Sequence, residues 1–131
     1  MPALLYDGSQ NQTFRSQCSI ARALEIVGDK WTLLVVRDLM WHGKHTFKTL
    51  QESEEHMPSN TLAERLQRLT SWGLVQRRLY QENPARYEYH LTEEGRSFEP
   101  VLLGIMRWGH ENLEGGLFDP KNRQASSGQT L

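Results

Sequence analysis

Apolar residues recur at helical spacing along most of the chain. The first such pattern lies in the stretch CSIARALEIVG, where Ile20, Ala23, Leu24 and Val27 fall on one face of a helix. A second helix is predicted in KWTLLVVRDLMWHG, after a cap at Asp29. Apolar residues lie on nearly every side of this second helix, so we expect it to be the central buried one.

A short helix and a longer one follow. The short helix is predicted directly after Thr46, whose hydroxyl is suited to capping. The longer one lies in PSNTLAERLQRLTSW, where Pro58 and the adjacent Ser and Thr residues favour a helix start. At about 100° per residue, Leu62, Leu66 and Leu69 form one narrow apolar stripe, which needs a core to cover it.

Alternation replaces helical spacing in LVQRRLYQ and RYEYHL, and the turn ENPA between them predicts a β-hairpin. Thr92 is expected to cap a last helix through RSFEPVLLGIMRWGHENL, which Pro100 kinks or splits. The order is helix, helix, short helix, helix, hairpin, helix. This is a mainly α fold with a small β-hairpin wing, a winged helix-turn-helix, in which the third core helix enters the major groove of DNA.

The chain has 131 residues, enough for one domain with a core. We predict a flexible N-terminal arm over residues 1–13, a single domain over 14–114 and a disordered polar tail over 115–131. No apolar run approaches the roughly 20 residues that cross a bilayer, and no secretory signal is evident. One cysteine rules out an internal disulfide framework, so a cytoplasmic protein is expected.

Charge is distributed unevenly in a chain whose net charge is only −1. Five arginines and two glutamates lie between Ser59 and Tyr87, whereas six acids and two arginines lie between Thr92 and Asp119. The long helix also turns polar groups away from its leucine stripe, with Arg65 on the flank. These outward residues are Asn60, Thr61, Glu64, Gln67, Arg68 and Ser71. Amides, hydroxyls and guanidiniums of this kind read base edges or bind phosphate.

The polar face of the long helix allows two interpretations, a face exposed to water or a face that binds a polar partner. An ordinary amphipathic helix also presents a polar face to water, and Arg65 is equally suited to pairing with Glu25, Asp38 or another acid. A basic residue in the neighbouring wing, Arg86, favours a nucleic-acid partner, because a basic wing beside a polar helix is a two-part signal.

Several motifs resemble those of the HxlR-type bacterial transcriptional regulators, relatives of the MarR winged-helix proteins. The resemblance covers about residues 18–113. The matching motifs are Gly28-x-Lys30-Trp31, Leu62-x-x-Arg65-Leu66, Gly73-Leu74-Val75 and Tyr89-x-Leu91-Thr92-x-x-Gly95. The resemblance implies a homodimer formed through the first and last helices, with one recognition helix per subunit in the major groove. Two half-sites about 34 Å apart would then be bound.

The resemblance places Ser59, Asn60, Thr61, Arg65 and Arg68 on the groove side. Members of the family often have a basic residue where this chain has Asn60. Asn83 and Arg86 would lie on the wing, with Arg78 among its basic residues, and Lys44, His45 and Lys48 are expected to contact phosphate beside the short helix. The predicted DNA-binding residues are Lys44, His45, Lys48, Ser59, Asn60, Thr61, Arg65, Arg68, Arg78, Asn83 and Arg86.

Cys18 begins the first helix, between Arg15 and Arg22. A helix N-terminus and nearby cations stabilise a thiolate. Some members of the HxlR-type family, which this chain resembles, look like thiol sensors that use a cysteine at this position. The two readings are a redox-sensing Cys18 and an inert, half-buried one. The five histidines show no familiar metal-ligand spacing, so neither a metal nor another cofactor is predicted.

Trp31 and Trp108 fall among aliphatic residues and are expected to pack in the core. The residues expected to serve dimerisation are Phe98, Leu102, Ile105, Met106 and Trp108. No Gly-rich phosphate loop or nucleophile motif occurs, so an enzyme is not expected. We predict a homodimeric regulator that binds a pseudo-palindromic promoter site on double-stranded DNA, with Cys18 oxidation or a small ligand as its effector and no membrane contact. The alternative is a winged-helix protein-interaction module with little DNA affinity.

Overall fold

The structure, a computed structural model, describes residues 14–118, and within them the elements follow the predicted order. The predicted arm (1–13) and the predicted tail from residue 119 onward lie outside the described residues. The elements are α1 (Ser19–Val27), α2 (Thr32–Trp41), α3 (Phe47–Gln51), α4 (Ser59–Ser71), β1 (Val75–Gln81), β2 (Arg86–Leu91), α5 (Glu93–Arg96) and α6 (Glu99–Asn112).

Side-chain caps set several of the helix boundaries. The Asp29 carboxylate accepts hydrogen bonds from the backbone N–H groups of Trp31 (2.8 Å) and Thr32 (3.0 Å), just before α2. Thr46 forms a reciprocal capping box with Thr49 at the start of α3. The predicted start of α3 is confirmed, whereas α2 begins at Thr32, with Trp31 rather than the predicted Asp29 at the N-cap position.

The end of α4 is fixed by Gly73, whose φ of 79° favours glycine. The Gly73 N–H donates to the Thr70 carbonyl (3.0 Å) and the Leu74 N–H donates to the Leu69 carbonyl (2.9 Å). This pair of bonds is a Schellman motif, which satisfies carbonyls that the helix end leaves free. It turns the chain sharply from α4 into β1.

The predicted last helix is split, as Pro100 implied. Thr92 caps α5 through the N–H of Gly95 (3.1 Å), and α5 ends at Arg96. Pro100 lies in the first turn of α6, where its missing N–H costs no helical hydrogen bond. Gly95 packs so tightly that an added Cβ would lie 2.1 Å from the Leu74 carbonyl oxygen, which explains the glycine of the Thr92-x-x-Gly95 motif.

The core forms around α2, which contacts α4, α6 and β2. The predicted stripe of Leu62, Leu66 and Leu69 is confirmed, because all three are at most 2% exposed. The hairpin is a two-stranded antiparallel sheet with a bulge between Leu79 and Gln81. Its base joins the core through Val75 and Leu91.

Several apolar side chains on α1 and α6 are exposed in the part of the chain that the structure describes. Ile20 is 71% exposed and Trp108 is 62% exposed, so the expectation that Trp108 packs in the core is wrong for the single chain. Trp31, by contrast, is partly buried. The other exposed apolar residues of these two helices are Leu24, Val101 and Ile105. No helix among residues 14–118 is both long and apolar enough to cross a membrane.

Candidate nucleic-acid interface

The first turn of α4 presents polar groups to solvent. Ser59 and Asn60 are exposed, and Thr61 is partly buried. Pro58 occupies the N-cap position and no side-chain cap closes this turn, in contrast to the expected Ser or Thr cap. Asn60 Oδ1 accepts a hydrogen bond from the Thr61 N–H at 3.0 Å. Because the N-cap residue supplies no side-chain acceptor, the N–H groups of Ser59 and Asn60 at this helix start are suited to binding an anion.

A groove of about 500 Å³ separates α4 from the hairpin. It is lined by Phe47, Ala63, Leu66, Gln67, Thr70, Ser71, Arg77 and Tyr89. The Arg77 guanidinium lies 4.0 Å from the centre of the Tyr87 ring, which holds the cation at this groove. The predicted site omits Gln67 and Arg77. Strand alternation would have identified Arg77, because it shares a face with the buried Val75 at the root of the strand.

The wing carries the predicted cations on exposed positions. Arg78, Asn83 and Arg86 are all exposed. Arg78 pairs in register with Glu88 on the adjacent strand, and Arg86 begins β2 beside the tip. The peptide bond between Asn83 and Pro84 is cis. The wing therefore presents one amide and two guanidiniums to solvent, while Arg77 of β1 lines the groove.

Arg65 and Arg68 are bound to an acid of the same chain. Arg65 Nε donates to Asp29 Oδ1 (3.0 Å) and Arg68 donates to Asp29 Oδ2 (3.1 Å). Glu64 also binds both guanidiniums, at 3.2 Å from Arg68. Of the two readings of Arg65, pairing with an acid is the one observed, and the acid is Asp29 rather than Glu25 or Asp38. The two side chains are only 18% and 29% exposed.

The pKa of Asp29 reflects this position. Partial burial by itself would raise the pKa, but hydrogen bonds from Thr32, from the Trp31 N–H and from Arg65 outweigh it and hold the pKa far below its usual range. Asp29 is therefore a fixed negative charge. It links the loop after α1 to the middle of α4, 36 residues away for Arg65.

The residues before α3 make contacts within the domain. Lys44 Nζ donates to Ser53 Oγ (3.0 Å). His45 Nδ1 lies 2.9 Å from the Tyr89 carbonyl oxygen, and its ring stacks on His90 with centroids 4.4 Å apart. Lys48 is exposed on α3. Of these three predicted phosphate contacts, Lys48 has the open position, whereas Lys44 and His45 tie the loop before α3 to its neighbours.

A buried polar cluster that the sequence did not reveal lies behind this surface. Asp38, 3% exposed, accepts hydrogen bonds from Arg37 (2.9 Å), from Ser53 and from His42 Nδ1 (2.8 Å). Arg37 also forms a bidentate pair with Glu55, with both distances 2.8 Å. Burial alone would raise the pKa of Asp38, but bonds from His42, Ser53 and Arg37 lower it overall. The cluster joins α2 to the loop that precedes α4.

Cys18 is exposed at the N-cap of α1. The backbone N–H groups of Ala21 and Ile20, at the start of α1, lower the pKa of its thiol. The neighbouring Arg22 uses its Nε to donate a hydrogen bond to the Ser16 carbonyl oxygen at 2.8 Å. The exposed position differs from the half-buried one of the inert reading.

A second cleft, of about 240 Å³, lies between α2 and α6. Its walls are mainly apolar, with Arg37 and His42 as the polar groups; the other lining residues are Leu33, Leu34, Trp41, Leu102, Ile105, Met106 and Leu117. Within residues 14–118, no three His, Cys, Asp or Glu side chains group as a metal site would require.

Known proteins are similar to this chain in sequence and in fold. The model of the HxlR-like helix-turn-helix family matches residues 26–116. The chain is 41% identical over 95 residues to an HTH-type transcriptional regulator of Mycobacterium tuberculosis (strain CDC 1551 / Oshkosh), covering 72% of this chain but 59% of that relative. It is 31% identical over 98 residues to the HTH-type transcriptional regulator YvaP of Bacillus subtilis (strain 168), covering 75% of this chain and 90% of YvaP.

Solved structures agree with the family match. The redox regulator HypR in its reduced form superposes with a TM-score of 0.65 and 31% identity, over 74% of this chain and 95% of HypR. The transcriptional regulator YodB of B. subtilis, also in its reduced form, gives a TM-score of 0.61 at 27% identity, over 77% of this chain and 99% of YodB. With its helices, hairpin wing and family motifs accounted for, the chain belongs to the HxlR-like helix-turn-helix family of transcription regulators, whose fold is a winged helix.

Proposed function

We propose that this protein is a sequence-specific DNA-binding transcription regulator that acts as a homodimer on a pseudo-palindromic promoter site. One observation carries the proposal: polar residues of α4, among them Gln67 and Ser71, line one groove together with Arg77 of the wing. Ser59 and Asn60 are exposed at the start of the same helix, and Arg78 and Arg86 are exposed on the same hairpin as Arg77. A DNA duplex offers phosphates to the guanidiniums of the wing and base edges to the polar side chains of α4.

The proposed contacts divide by chemistry. Arg78 and Arg86 of the wing bind phosphate, with Asn83 donating from the tip, and Lys48 binds phosphate beside α3. Ser59, Asn60 and Thr61, together with Gln67, face base edges in the major groove, where an amide side chain pairs best with adenine. Arg65 and Arg68 serve this interface by holding α4 in place through Asp29.

Dimerisation is proposed to cover the exposed apolar residues of α1 and α6. Val101, Ile105 and Trp108 recur at spacings of four and three residues, so they form one stripe along α6. Their exposure of 45–62% leaves a continuous apolar surface, which is typical of a protein–protein interface. A second copy of the chain has the same stripe. In a two-fold arrangement the two stripes would pack against each other.

The test is selection of bound duplexes from a random pool, followed by fluorescence anisotropy on the selected and scrambled sequences over a range of salt concentrations. An enriched inverted repeat, bound more tightly than scrambled DNA, is the expected result. Failure to enrich any sequence, with weak binding that salt does not change, would instead favour the protein-interaction module.

Arg86→Ala is expected to weaken binding to selected and scrambled DNA by a similar factor, because a phosphate contact carries no sequence information. The slope of log affinity against log salt should fall by about 0.9, the contribution of one phosphate. Arg107→Ala on α6 removes the same charge at a position away from the groove and is the matched control. An Arg86→Ala slope equal to that of the control would remove Arg86 from the interface.

Cys18 oxidation is the regulatory signal that we propose for this regulator. Its exposed thiol of lowered pKa and the similarity of the chain to the redox regulator HypR support it. Hydrogen peroxide would oxidise the Cys18 thiolate to a sulfenic acid with release of hydroxide, and the sulfenic acid would then condense with a second thiol, from another copy of the chain or a small-molecule thiol, to form a disulfide and water. The small-ligand alternative has the α2–α6 cleft as its candidate site, where an apolar molecule would suit the mainly apolar walls.

The redox proposal predicts that peroxide changes the DNA affinity of the parent protein and that a thiol reductant restores it. Cys18→Ser should bind DNA as the reduced parent does and should not respond, since the chain has one cysteine. Fluorescence anisotropy before and after peroxide treatment measures the DNA affinity of each protein, and mass spectrometry measures the oxidation of Cys18. A Cys18→Ser variant that responds like the parent would disprove the sensor.

A further inference from the structure

The recognition helix α4 is joined at two separate points to the segments that flank α1. Before α1, the Phe14 ring stacks on Trp72, the C-cap residue of α4, with centroids 6.0 Å apart and an interplanar angle of 29°. After α1, Asp29 binds Arg65 and Arg68 in the middle of α4 at 3.0 and 3.1 Å. One contact is aromatic and the other is ionic, so they are chemically independent.

Both attachment points are themselves tied to α1. The Arg22 guanidinium lies 5.0 Å from the centre of the Phe14 ring and its Nε donates to the Ser16 carbonyl oxygen. The Arg15 N–H donates to Glu25 at 3.1 Å. At the other end, Gly28 makes a turn so tight that an added Cβ would lie 2.2 Å from the Leu24 carbonyl oxygen. Phe14, α1 and Asp29 therefore form one unit with little freedom between its parts.

We propose that this unit clamps α4 and that Phe14 and Asp29 are positioning residues that set the spacing of half-sites the protein accepts. The inference rests on the proposed function, in which α1 contributes to the dimer interface and α4 enters the groove. A helix held at one point can pivot about it, whereas a helix held at two points keeps a fixed direction. The clamp therefore transmits the geometry of the dimer interface to each recognition helix.

The experiment measures affinity for operators whose half-sites are moved apart or together by one and two base pairs. Each base pair changes the separation by about 3.4 Å and the rotation by about 35°. The parent protein is expected to prefer one spacing. Phe14→Ala combined with Asp29→Asn is expected to reduce that preference roughly tenfold, a common size for coupling between contacting residues, when each affinity is divided by the same variant's affinity for a single half-site.

The variants are chosen to separate positioning from folding. Asn caps helices as well as Asp does, so Asp29→Asn keeps a cap for Trp31 and Thr32 while removing the charge that holds the two arginines. Phe14→Tyr keeps the ring and should restore the spacing preference that Phe14→Ala loses. Gln17→Ala, at an exposed position of the same segment, is the control. If the double variant is folded and keeps the parent's spacing preference, the proposal is wrong.

Hydrogen exchange without DNA makes the inference independent of the proposed function. Phe14→Ala should speed exchange of the amides of Trp72 and Gly73, and Asp29→Asn that of the amides around Arg68, each by several-fold. If the parent selects no DNA sequence, the proposed function fails, but faster exchange still supports the clamp. Unchanged exchange in both variants would overturn the clamp whatever the DNA results are.

Discussion

Replacing Trp108 by glutamate is expected to convert the protein to monomers and to lower operator affinity by about 10²–10⁴-fold. The Trp108 side chain is 62% exposed in the single chain and lies in the apolar stripe of α6 with Val101 and Ile105. A glutamate there would be repeated in both copies of a two-fold interface, so two charges would lose water without a partner. The monomer would then bind one half-site and lose the gain that two linked sites provide.

Analytical ultracentrifugation and anisotropy on full and half operators measure the two effects. Arg107→Glu introduces the same side chain at the adjacent exposed position, which points to another side of α6, and is the control. The parent should bind the full operator much more tightly than the half operator, whereas Trp108→Glu should bind both alike. A dimeric Trp108→Glu variant would place the dimer interface elsewhere.

Asp38→Asn is expected to lower the free energy of unfolding by about 3 kcal/mol, near the lower end of the range for breaking a buried ion pair. Asp38 accepts from Arg37, Ser53 and His42, and its loss leaves these groups facing a neutral amide. The loss stays near the lower end because Arg37 keeps its bidentate pair with Glu55. Urea unfolding at neutral pH measures it, with the exposed Glu111→Gln as control.

The same variant predicts a pH dependence. The pKa of Asp38 is lower in the folded protein than in the unfolded chain. At acidic pH the folded state therefore binds fewer protons at this carboxyl group than the unfolded state does. Its contribution is fully present above the unfolded pKa of about 3.9 and is lost as pH falls through the lower folded pKa. The difference in unfolding free energy between parent and Asp38→Asn should therefore be constant from pH 7 to 5 and shrink below pH 4. A constant difference down to pH 3 would contradict this assignment.

The buried cluster around Asp38 also bears on how α4 is supported. Arg37 and Asp38 of α2 bind Glu55 and Ser53, which lie in the loop just before α4. Asp29 binds the middle of the same helix. Ionic contacts from α2 therefore hold the loop before α4, Asp29 holds the middle of α4, and the leucine stripe of α4 packs on the core.

Local physics made much of the fold predictable. The spacing of Leu62, Leu66 and Leu69 identified the buried face of α4, because a helix places such residues on one side whatever surrounds it. Capping at Thr46 and Thr92 depends on backbone groups within three residues, so these helix starts also followed from the sequence. The exposed wing residues Arg78 and Arg86 followed from strand alternation and the turn between them.

Only the tertiary structure decided where the long charged side chains go. The contact between Asp29 and Arg65 joins residues 36 apart, and no local pattern selects Asp29 over Glu25 or Asp38 as the partner. Arg77 likewise reaches the groove because β1 packs beside α4, and Trp108 is exposed because no element of its own chain covers that side of α6 within residues 14–118. Periodicity thus determined which residues face inward, whereas the partners of ionic and aromatic side chains depended on how distant segments meet in three dimensions.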